Sequence, residues 1–309
     1  MKLLICGAKG FVGRHIAHAA ELLGHTVIQG IRLRNQGLAE ERVASETVAG
    51  DARQIFIDYT KDHDPSTWQM RLRGIDVVIN AIGVLRDSRA QPIHAIHSLA
   101  PIALFEGAAA AGVKQVIQIS ANGIEDSHTQ YAQTKLLADK ALWRLLDAGQ
   151  LKGVVVRPSV ILGKGGASGS MFMSLSKLPI LILPRIMFTS RIQPVAVQDL
   201  AHVVMQLIQH SVTQITPLYA VGPTALTFAA LIANLRAQLG YLPAVQIRLP
   251  DAISRLSARL GDGLSTSPWS SEALSLLQKD NIADVTPFMR YLGREPIAPG
   301  QLLRHWNEG

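Results

Sequence analysis

The sequence contains only one cysteine, Cys6, among its 309 residues, so an intrachain disulfide is excluded. Cys6 lies within a short apolar run, and we expect it to be a small core residue. Aromatic residues amount to 5% and are not interleaved with the basic residues, which argues against a nucleic-acid partner. No apolar run reaches the length of about 18 residues that a membrane span requires. We therefore expect a cytoplasmic protein, with peripheral attachment at the inner face of a membrane left open.

Long runs of one charge are also missing, although Lys and Arg outnumber Asp and Glu by 30 to 23 and the formal net charge is +7. Basic residues spread in this way indicate ordinary solvation, and they leave contact with a membrane or a membrane complex open. Histidines recur three apart at His15 and His18 and at His94 and His97, but no carboxylate or cysteine at ligand spacing completes either pair. No metal site is predicted, and the oligomeric state is left open.

Short apolar runs alternate with helical patterns from residue 1 to about residue 162, which is typical of βαβ units around a parallel sheet. The apolar runs predict strands at 2–6, 26–31, 54–57, 76–83, 115–120 and 153–158. The patterns between them predict helices at 13–24, 66–74, 92–112 and 128–149. The fold class is therefore α/β.

The regular alternation ends after this point. The segment GKGGASGS (163–170) predicts a flexible loop, and two prolines interrupt the apolar segment 174–188. A strand and helix at 195–210 and a strand at 217–222 resume the pattern, and the sequence from 224 onward is mostly helical. We predict one α/β domain over 1–162 with a return segment at 195–222, and a smaller lobe over 163–194 and 223–309.

A glycine-rich loop, GAKGFVG, follows the first predicted strand and opens the first helix. Gly7, Gly10 and Gly13 can supply the tight turn, the close backbone approach to a pyrophosphate, and the close contact of helix and strand. The helix beginning near Phe11 and Val12 would then direct its N–H groups and positive dipole end at the phosphates. Lys9 would add attraction for phosphate. A purely structural turn, with Lys9 as an ordinary exposed lysine, is the alternative.

The end of the second strand indicates which nucleotide is preferred. An acidic residue there binds the ribose hydroxyls of NAD, whereas arginine suits the additional phosphate of NADP. Arg32 and Arg34 occupy this region, and the next acidic residue after them is Glu40. The sequence therefore predicts NADP as cofactor rather than NAD. By position alone, Asp58 and Tyr59 follow the third strand where the adenine would lie.

Ser120, at the end of the fifth strand, precedes the motif YAQTK, which contains Tyr131 and Lys135. A tyrosine and a lysine four apart share one face of a helix, and a nearby ammonium lowers the pKa of a phenol. Such a tyrosine can exchange a proton with a substrate oxygen while a nicotinamide exchanges hydride with the adjoining carbon. Ser120 would hydrogen-bond the same oxygen. These three residues are the predicted catalytic set.

Several motifs together resemble the extended and atypical short-chain dehydrogenase/reductase superfamily: GAKGFVG, VINAIGV, IQISANGI, YAQTK, VVVRPSVILG and QPVAVQDLAHVV. The later stretch SPWSSEALSLLQKDNIAD, followed by FMRYLG, is similar to the branch containing the accessory NADPH-binding subunit of mitochondrial complex I, with NmrA-like proteins nearby. The resemblance implies a Rossmann-type, doubly wound parallel sheet of order 3-2-1-4-5-6-7, with a smaller, mostly helical C-terminal lobe over the nicotinamide.

The resemblance also implies further site residues. It implies cofactor contacts for six residues beyond the glycine loop: Ala81, Ile82, Gly83, Arg157, Pro158 and Ser159. It places His97 where the superfamily commonly has an asparagine that serves a proton relay.

These features favour an NADPH-dependent oxidoreductase acting on a small-molecule carbonyl. The proline-interrupted apolar segment 178–188 suggests an apolar or quinone-like substrate. A non-catalytic NADP(H)-binding assembly factor, or an NmrA-like redox sensor, is the first alternative, because the complex I subunit binds nucleotide without evident turnover. A nucleotide-sugar epimerase or dehydratase is the second, although Arg32 and the short segment between Ser120 and Tyr131 argue against it.

Overall fold

The computed structural model describes residues 1–32, 53–262 and 270–306, which form two compact units. The first unit is Met1–Ser120, Gln133–Arg157 and Ala201–Leu218, and the second is Ala121–Ala132, Pro158–Leu200 and Tyr219–Gly309. The domain bounds proposed from the sequence stay a prediction.

The described residues contain thirteen β-strands. They are β1 Lys2–Cys6, β2 Thr26–Ile31, β3 Gln54–Phe56, β4 Val77–Asn80, β5 Gln115–Ile119, β6 Gly153–Pro158, β7 Ile161–Leu162, β8 Ile180–Pro184, β9 Arg191–Ile192, β10 Val195–Ala196, β11 Leu218–Ala220, β12 Leu226–Thr227 and β13 Val245–Leu249. The main sheet has seven strands in the order β3-β2-β1-β4-β5-β6-β11, and the pairings from β3 to β6 are all parallel. This confirms the predicted Rossmann-type order, with β11 as the seventh strand.

The described residues contain ten α-helices. They are α1 Phe11–Leu22, α2 Pro65–Arg71, α3 Ala100–Ala111, α4 Gln130–Asp147, α5 Ala167–Ser176, α6 Val197–Gln209, α7 Phe228–Gln238, α8 Asp251–Asp262, α9 Ser271–Leu276 and α10 Thr286–Leu292. A π-helical turn, Ala95–Leu99, leads directly into α3. Within the described ranges, no helix combines the length and the apolar character needed to cross a bilayer.

The central strands form because their sequences suit burial on both faces. Every residue of β4, β5 and β6 is buried, as expected for parallel strands covered by helices on each side. Cys6 is also fully buried at the end of β1, which confirms its predicted place in the core. Burial raises the pKa of its thiol to about 12, so it is inert. Helix α3 ends at Gly112, whose left-handed φ of 73° suits glycine.

The second unit departs from the sequence prediction in one segment. The expected flexible loop at 163–170 is wrong in its second half, because α5 begins at Ala167. Phe172 of this helix packs against Phe228 with ring centroids 5.9 Å apart, in the core of the unit. This packing stabilises a helix that its glycine and serine content disfavours. The prolines at 179 and 184 frame β8, which pairs in parallel with β13.

Candidate functional site

The glycine loop lies at the carboxyl end of β1, and two of its glycines are required by its geometry. Gly7 has a φ of 83°, and a Cβ there would lie 2.9 Å from Ile82 Cγ1. A Cβ on Gly13 would lie only 2.1 Å from the carbonyl oxygen of Gly7, so a larger residue would push α1 away from the loop. The Gly10 N–H donates to the Gly7 carbonyl at 2.8 Å and closes the turn.

The N-terminus of α1 is suited to an anion. Gly10 precedes the helix in an extended conformation, no side chain in the described part of the chain caps this end, and the first turn has no acidic residue. The backbone N–H groups of Phe11, Val12 and Gly13 therefore lie at the positive end of an uncapped helix dipole. Lys9 is exposed in the same loop. A pyrophosphate fits this combination of close backbone approach and donor groups.

Arg32 directly follows β2, where the sequence analysis placed it, and its side chain is half exposed. Its Nε lies 3.7 Å from Asp58 Oδ1, and its Nη1 donates to the Ala90 carbonyl at 3.4 Å. Burial alone would raise the pKa of Asp58, but hydrogen bonds from Thr60 and the charge of Arg32 hold it below its usual value. The guanidinium thus meets a carboxylate at the ends of β2 and β3. Arg34 lies outside the described residues.

The side chain of Tyr59, unlike that of the preceding residue Asp58, lies in the core. Its ring is buried and meets Trp68 edge to face, with centroids 5.8 Å apart. Its hydroxyl donates to Asn80 Oδ1 at 3.0 Å, and Asn80 in turn donates to Gln118 Oε1 at 2.8 Å. These buried polar side chains join the ends of β3, β4 and β5. An adenine contact would therefore have to involve the Tyr59 backbone, and that contact remains a prediction.

Lys135, in α4, is buried at the carboxyl ends of β4 and β5. Its Nζ donates to the carbonyl oxygens of Ile82 at 3.4 Å and Ile119 at 3.2 Å. A Cβ on Gly83 would lie 3.3 Å from the same nitrogen. Burial lowers the pKa of Lys135 to about 8, although the Asp139 carboxylate acts to raise it. The structure thus brings Lys135 together with the predicted segment 81–83.

His97 is buried beside Lys135 and is held in a neutral form. Its Nε2 accepts the Val84 N–H at 3.0 Å, and its Nδ1 lies 3.3 Å from Thr134 Oγ1. Burial and the charge of Lys135 lower the pKa of His97 to about 2. Because Nε2 accepts, the proton is on Nδ1 and is shared with Thr134. His97 therefore orients the loop after β4 and is unsuited to carry a proton at neutral pH.

Ser120 takes part in a buried charge network that the sequence analysis did not anticipate. Its hydroxyl donates to Asp139 Oδ2 at 2.8 Å, and Arg157 binds the same oxygen through Nε at 2.9 Å and Nη2 at 2.8 Å. The Arg157 guanidinium also lies over the Trp143 ring, 5.2 Å from its centroid. Burial raises the pKa of Asp139, while Arg157, Ser120 and Lys135 all act to lower it. The Ser120 proton is therefore committed to Asp139, and its oxygen can only accept further bonds.

The remaining predicted residues belong to the second unit. The Pro158 carbonyl accepts the Asn122 N–H at 2.9 Å, and the Ser159 hydroxyl donates to the Asn281 carbonyl at 3.2 Å. The side chains of Asn122 and Asn281 also bond each other, at 3.0 Å. Tyr131 is the second residue of α4, and its N–H donates to Glu272 Oε1 at 3.0 Å.

Asp139 is the residue that the sequence analysis missed most clearly, and two signals pointed to it. It lies four residues after Lys135, on the same face of α4. Arg157 is also the one charged residue in the apolar strand GVVVRP, and a charge in such a strand requires a buried partner. Together these signals indicate an acidic residue on the helix that covers the strand.

Several known proteins are similar to this chain in sequence or in fold. The model of the NAD dependent epimerase/dehydratase family matches residues 3–222, which is most of the chain. The chain is 25% identical over 268 residues to a ceramide reductase of Caulobacter vibrioides, covering 86% of this chain and 78% of that protein.

Two solved structures share the fold at low sequence identity. The NADPH-dependent quinone oxidoreductase QOR2 of Escherichia coli, solved with NADPH, matches with a TM-score of 0.69 and 18% identity, over 99% of each chain. The human epimerase family protein SDR39U1, solved with NADPH, matches with a TM-score of 0.71 and 18% identity, over 100% of each chain. At such identities the likeness shows the fold alone.

Proposed function

The chain belongs to the NAD-dependent epimerase/dehydratase family of the extended short-chain dehydrogenase/reductases, and from this premise we propose that it is an NADPH-dependent oxidoreductase that reduces a carbonyl. The observation that carries the proposal is the buried Lys135 ammonium at the carboxyl ends of β4 and β5, beside the glycine loop that follows β1. In open parallel sheets, ligands bind outside the carboxyl ends of the strands, where the strand order reverses.

The residues present fit a dinucleotide. Gly7 and Gly13 allow the backbone to approach a pyrophosphate, and the uncapped N-terminus of α1 supplies donors for it. Arg32 would bind the phosphate that distinguishes NADPH from NADH, and Lys135 would hold the ribose next to the nicotinamide. When bound, the nicotinamide supplies the hydride for the reduction.

In this proposal, Tyr131 gives its proton to the substrate oxygen. Lys135 lies four residues later on the same face of α4, and its positive charge stabilises the phenolate that remains. Ser120 differs from its predicted role, because its own proton is donated to Asp139. With its proton on Asp139, Ser120 cannot donate to the carbonyl oxygen, and its own oxygen would instead accept a hydrogen bond from the alcohol that the reduction forms.

Replacing Arg32 by alanine tests the cofactor assignment. We expect Arg32→Ala to weaken NADPH binding by about tenfold or more, because charge-assisted hydrogen bonds to the phosphate are lost and Asp58 is left uncompensated beside it. NADH binding should change little. The measurement is a fluorescence titration with each nucleotide at one fixed salt concentration.

Two further variants make this titration specific. Arg73→Ala removes one exposed positive charge from the same unit, so it controls for the loss of net charge. Arg32→Ala/Asp58→Asn separates the lost contact from repulsion by Asp58. The assignment to NADPH would be contradicted if the wild-type protein bound NADH and NADPH with equal affinity. It would also be contradicted if Arg32→Ala left the affinity for NADPH unchanged. Failure to bind either nucleotide would make the glycine loop a structural turn.

The lowered pKa of Lys135 gives a prediction for the dependence of turnover on pH. Lys135 loses its positive charge as the pH rises through about 8, so turnover should fall on that alkaline side. Lys135→Arg keeps the charge, because arginine does not deprotonate in proteins, and should move this fall upward by more than about one pH unit. The measurement is the pH profile of kcat for both proteins. An unmoved alkaline limb in Lys135→Arg would assign the fall to another group.

The substrate class that we propose is an apolar carbonyl compound or a quinone. The name of one relative, a ceramide reductase, supports an apolar substrate, and the quinone in the test panel is suggested by an oxidoreductase that shares the fold. NADPH oxidation should be followed with a panel of quinones and ketones that differ in the length of their apolar chains. Turnover that rises with chain length is expected, and turnover of polar sugar nucleotides alone would favour an epimerase or dehydratase.

One observation favours a second function, that of a non-catalytic NADP(H)-binding assembly factor or sensor. The Ser120 proton is committed to Asp139, and His97 is neutral, so two groups of the expected proton pathway are occupied by structural bonds. The branch resemblance to the complex I subunit agrees with this function. NADPH that binds tightly but is not oxidised by any member of the panel would support it.

A further inference from the structure

An apolar surface lies on the two-stranded sheet of the second unit. In β8, Leu181 and Leu183 point into the core, whereas Ile180 and Ile182 are exposed on the other face. Ile180 pairs with Val245 and Ile182 with Ile247, and both partners are exposed as well. These four β-branched residues, the strand patch, form an apolar face where a solvated sheet would carry polar side chains.

The next helix, α8, has its apolar residues on the side away from the core. Ile253, Leu256 and Leu260 are spaced as one stripe and have exposed fractions of 50%, 59% and 70%. The buried side of α8 consists of the small residues Ser254, Ala258 and Gly261. A helix that only covers a core has the opposite arrangement. These three large residues, the helix stripe, therefore indicate a ligand outside the unit.

Basic side chains accompany both apolar features. Arg255 and Arg259 are exposed on α8 and lie along one flank of the helix stripe, between it and the buried side of the helix. Arg248 is in β13, and Lys177 and Arg185 flank β8. The acidic residues of α8 are Asp251 and Asp262 at its ends, and Asp262 is bonded to Ser271. The charge around the apolar residues is therefore mainly positive.

We propose that the strand patch and the helix stripe bind the surface of a bilayer that contains anionic lipids. A helix with an exposed apolar stripe and arginines beside it lies in the plane of a membrane, with the stripe in the acyl region and the cations at the headgroups. Cationic residues favour this occupant over a second copy of the chain, because two identical basic faces repel each other. Only Pro250 separates β13 from α8, so the β13 half of the strand patch directly precedes the helix stripe in the chain.

Vesicle sedimentation tests the proposal without nucleotide or substrate, so its result does not depend on the proposed function. The probes are vesicles of phosphatidylglycerol with phosphatidylcholine, and vesicles of phosphatidylcholine alone. We expect binding to the first and much weaker binding to the second. Ile253→Ser/Leu256→Ser/Leu260→Ser should reduce binding about tenfold or more, and Arg255→Gln/Arg259→Gln by about fivefold for each arginine.

The control is Leu22→Ser/Leu23→Ser/Met70→Ser, which removes three exposed apolar side chains from the first unit and should leave binding within about twofold. Circular dichroism and the urea midpoint check that each variant is folded, and Ile182→Ser tests the strand patch separately. The proposal is overturned if the protein does not sediment with anionic vesicles, or if the helix-stripe variant binds like the wild type. A dimer in sedimentation velocity that this variant abolishes, without vesicle binding, would make the face an interface between copies.

Discussion

We expect Tyr131→Phe to lower kcat by about 10²- to 10⁴-fold, the range that a positioned general acid contributes. The phenylalanine ring fills the same space but has no proton to give to the substrate oxygen. Lys135 and the glycine loop are unchanged, so the affinity for NADPH should stay within about twofold of the wild type. Turnover is measured with the best substrate of the carbonyl and quinone panel, and binding by fluorescence titration.

Tyr241→Phe is the matched control, since it removes a phenol hydroxyl from a half-exposed ring in another part of the chain. Its turnover should equal that of the wild type. Wild-type turnover in Tyr131→Phe would eliminate Tyr131 as the proton donor. If the wild type itself oxidises no NADPH with any substrate, the protein is the non-catalytic binder and Tyr131 has another role.

The fold of the first unit was predictable because its signals are local and agree with each other. The runs QVIQIS and GVVVRP are apolar over their whole length, which suits strands that are covered on both faces, and both form strands of the sheet. The helix after Gly10 follows from the glycine loop in the same way. The strand order itself came from the resemblance, since parallel strands that are distant in sequence give no local signal of their neighbours.

The second unit was less predictable because contacts over long sequence distances determine its structure. Helix α5 begins at Ala167 within a run rich in glycine and serine, and the packing of Phe172 against Phe228 stabilises it. Strand β13 pairs with β8, more than sixty residues earlier in the chain. Glycine and proline signals describe local conformation and do not report such pairings.

The candidate site was likewise predictable in part from the sequence and in part only from the folded structure. The position of Lys135 beside Ile82 and Gly83 agrees with the sequence motif, whereas the bond from Ser120 to Asp139 could not be read from it. A serine at the end of a strand can donate to a substrate or to a buried carboxylate, and only the folded structure shows which acceptor is close. Likewise, the resemblance places His97 where the superfamily commonly has an asparagine, and only the structure shows that its ring is a neutral acceptor of the Val84 N–H.

We expect Asp139→Ala to lower the free energy of unfolding by about 3–5 kcal/mol, because it leaves the Arg157 guanidinium buried without its counter-ion. Asp139→Asn should cost less, since an amide oxygen still accepts bonds from Ser120 and Arg157. The measurement is the urea midpoint at constant m-value. Asp147→Ala is the control, because Asp147 is exposed at the end of the same helix and its loss should change stability by less than about 0.5 kcal/mol.

A second substitution shows why Asp139 matters. Arg157→Met in the Asp139→Ala background removes the unpaired charge, so it should restore about 2 kcal/mol or more of the lost stability. If the two losses simply add, the network stabilises the unit through packing of Arg157 on Trp143 and the charge pair contributes little. If Asp139→Ala costs less than about 1 kcal/mol, water reaches the guanidinium and the network is not closed to solvent. In that case the Ser120 hydroxyl would be free to turn toward a substrate, and the objection to its catalytic role would disappear.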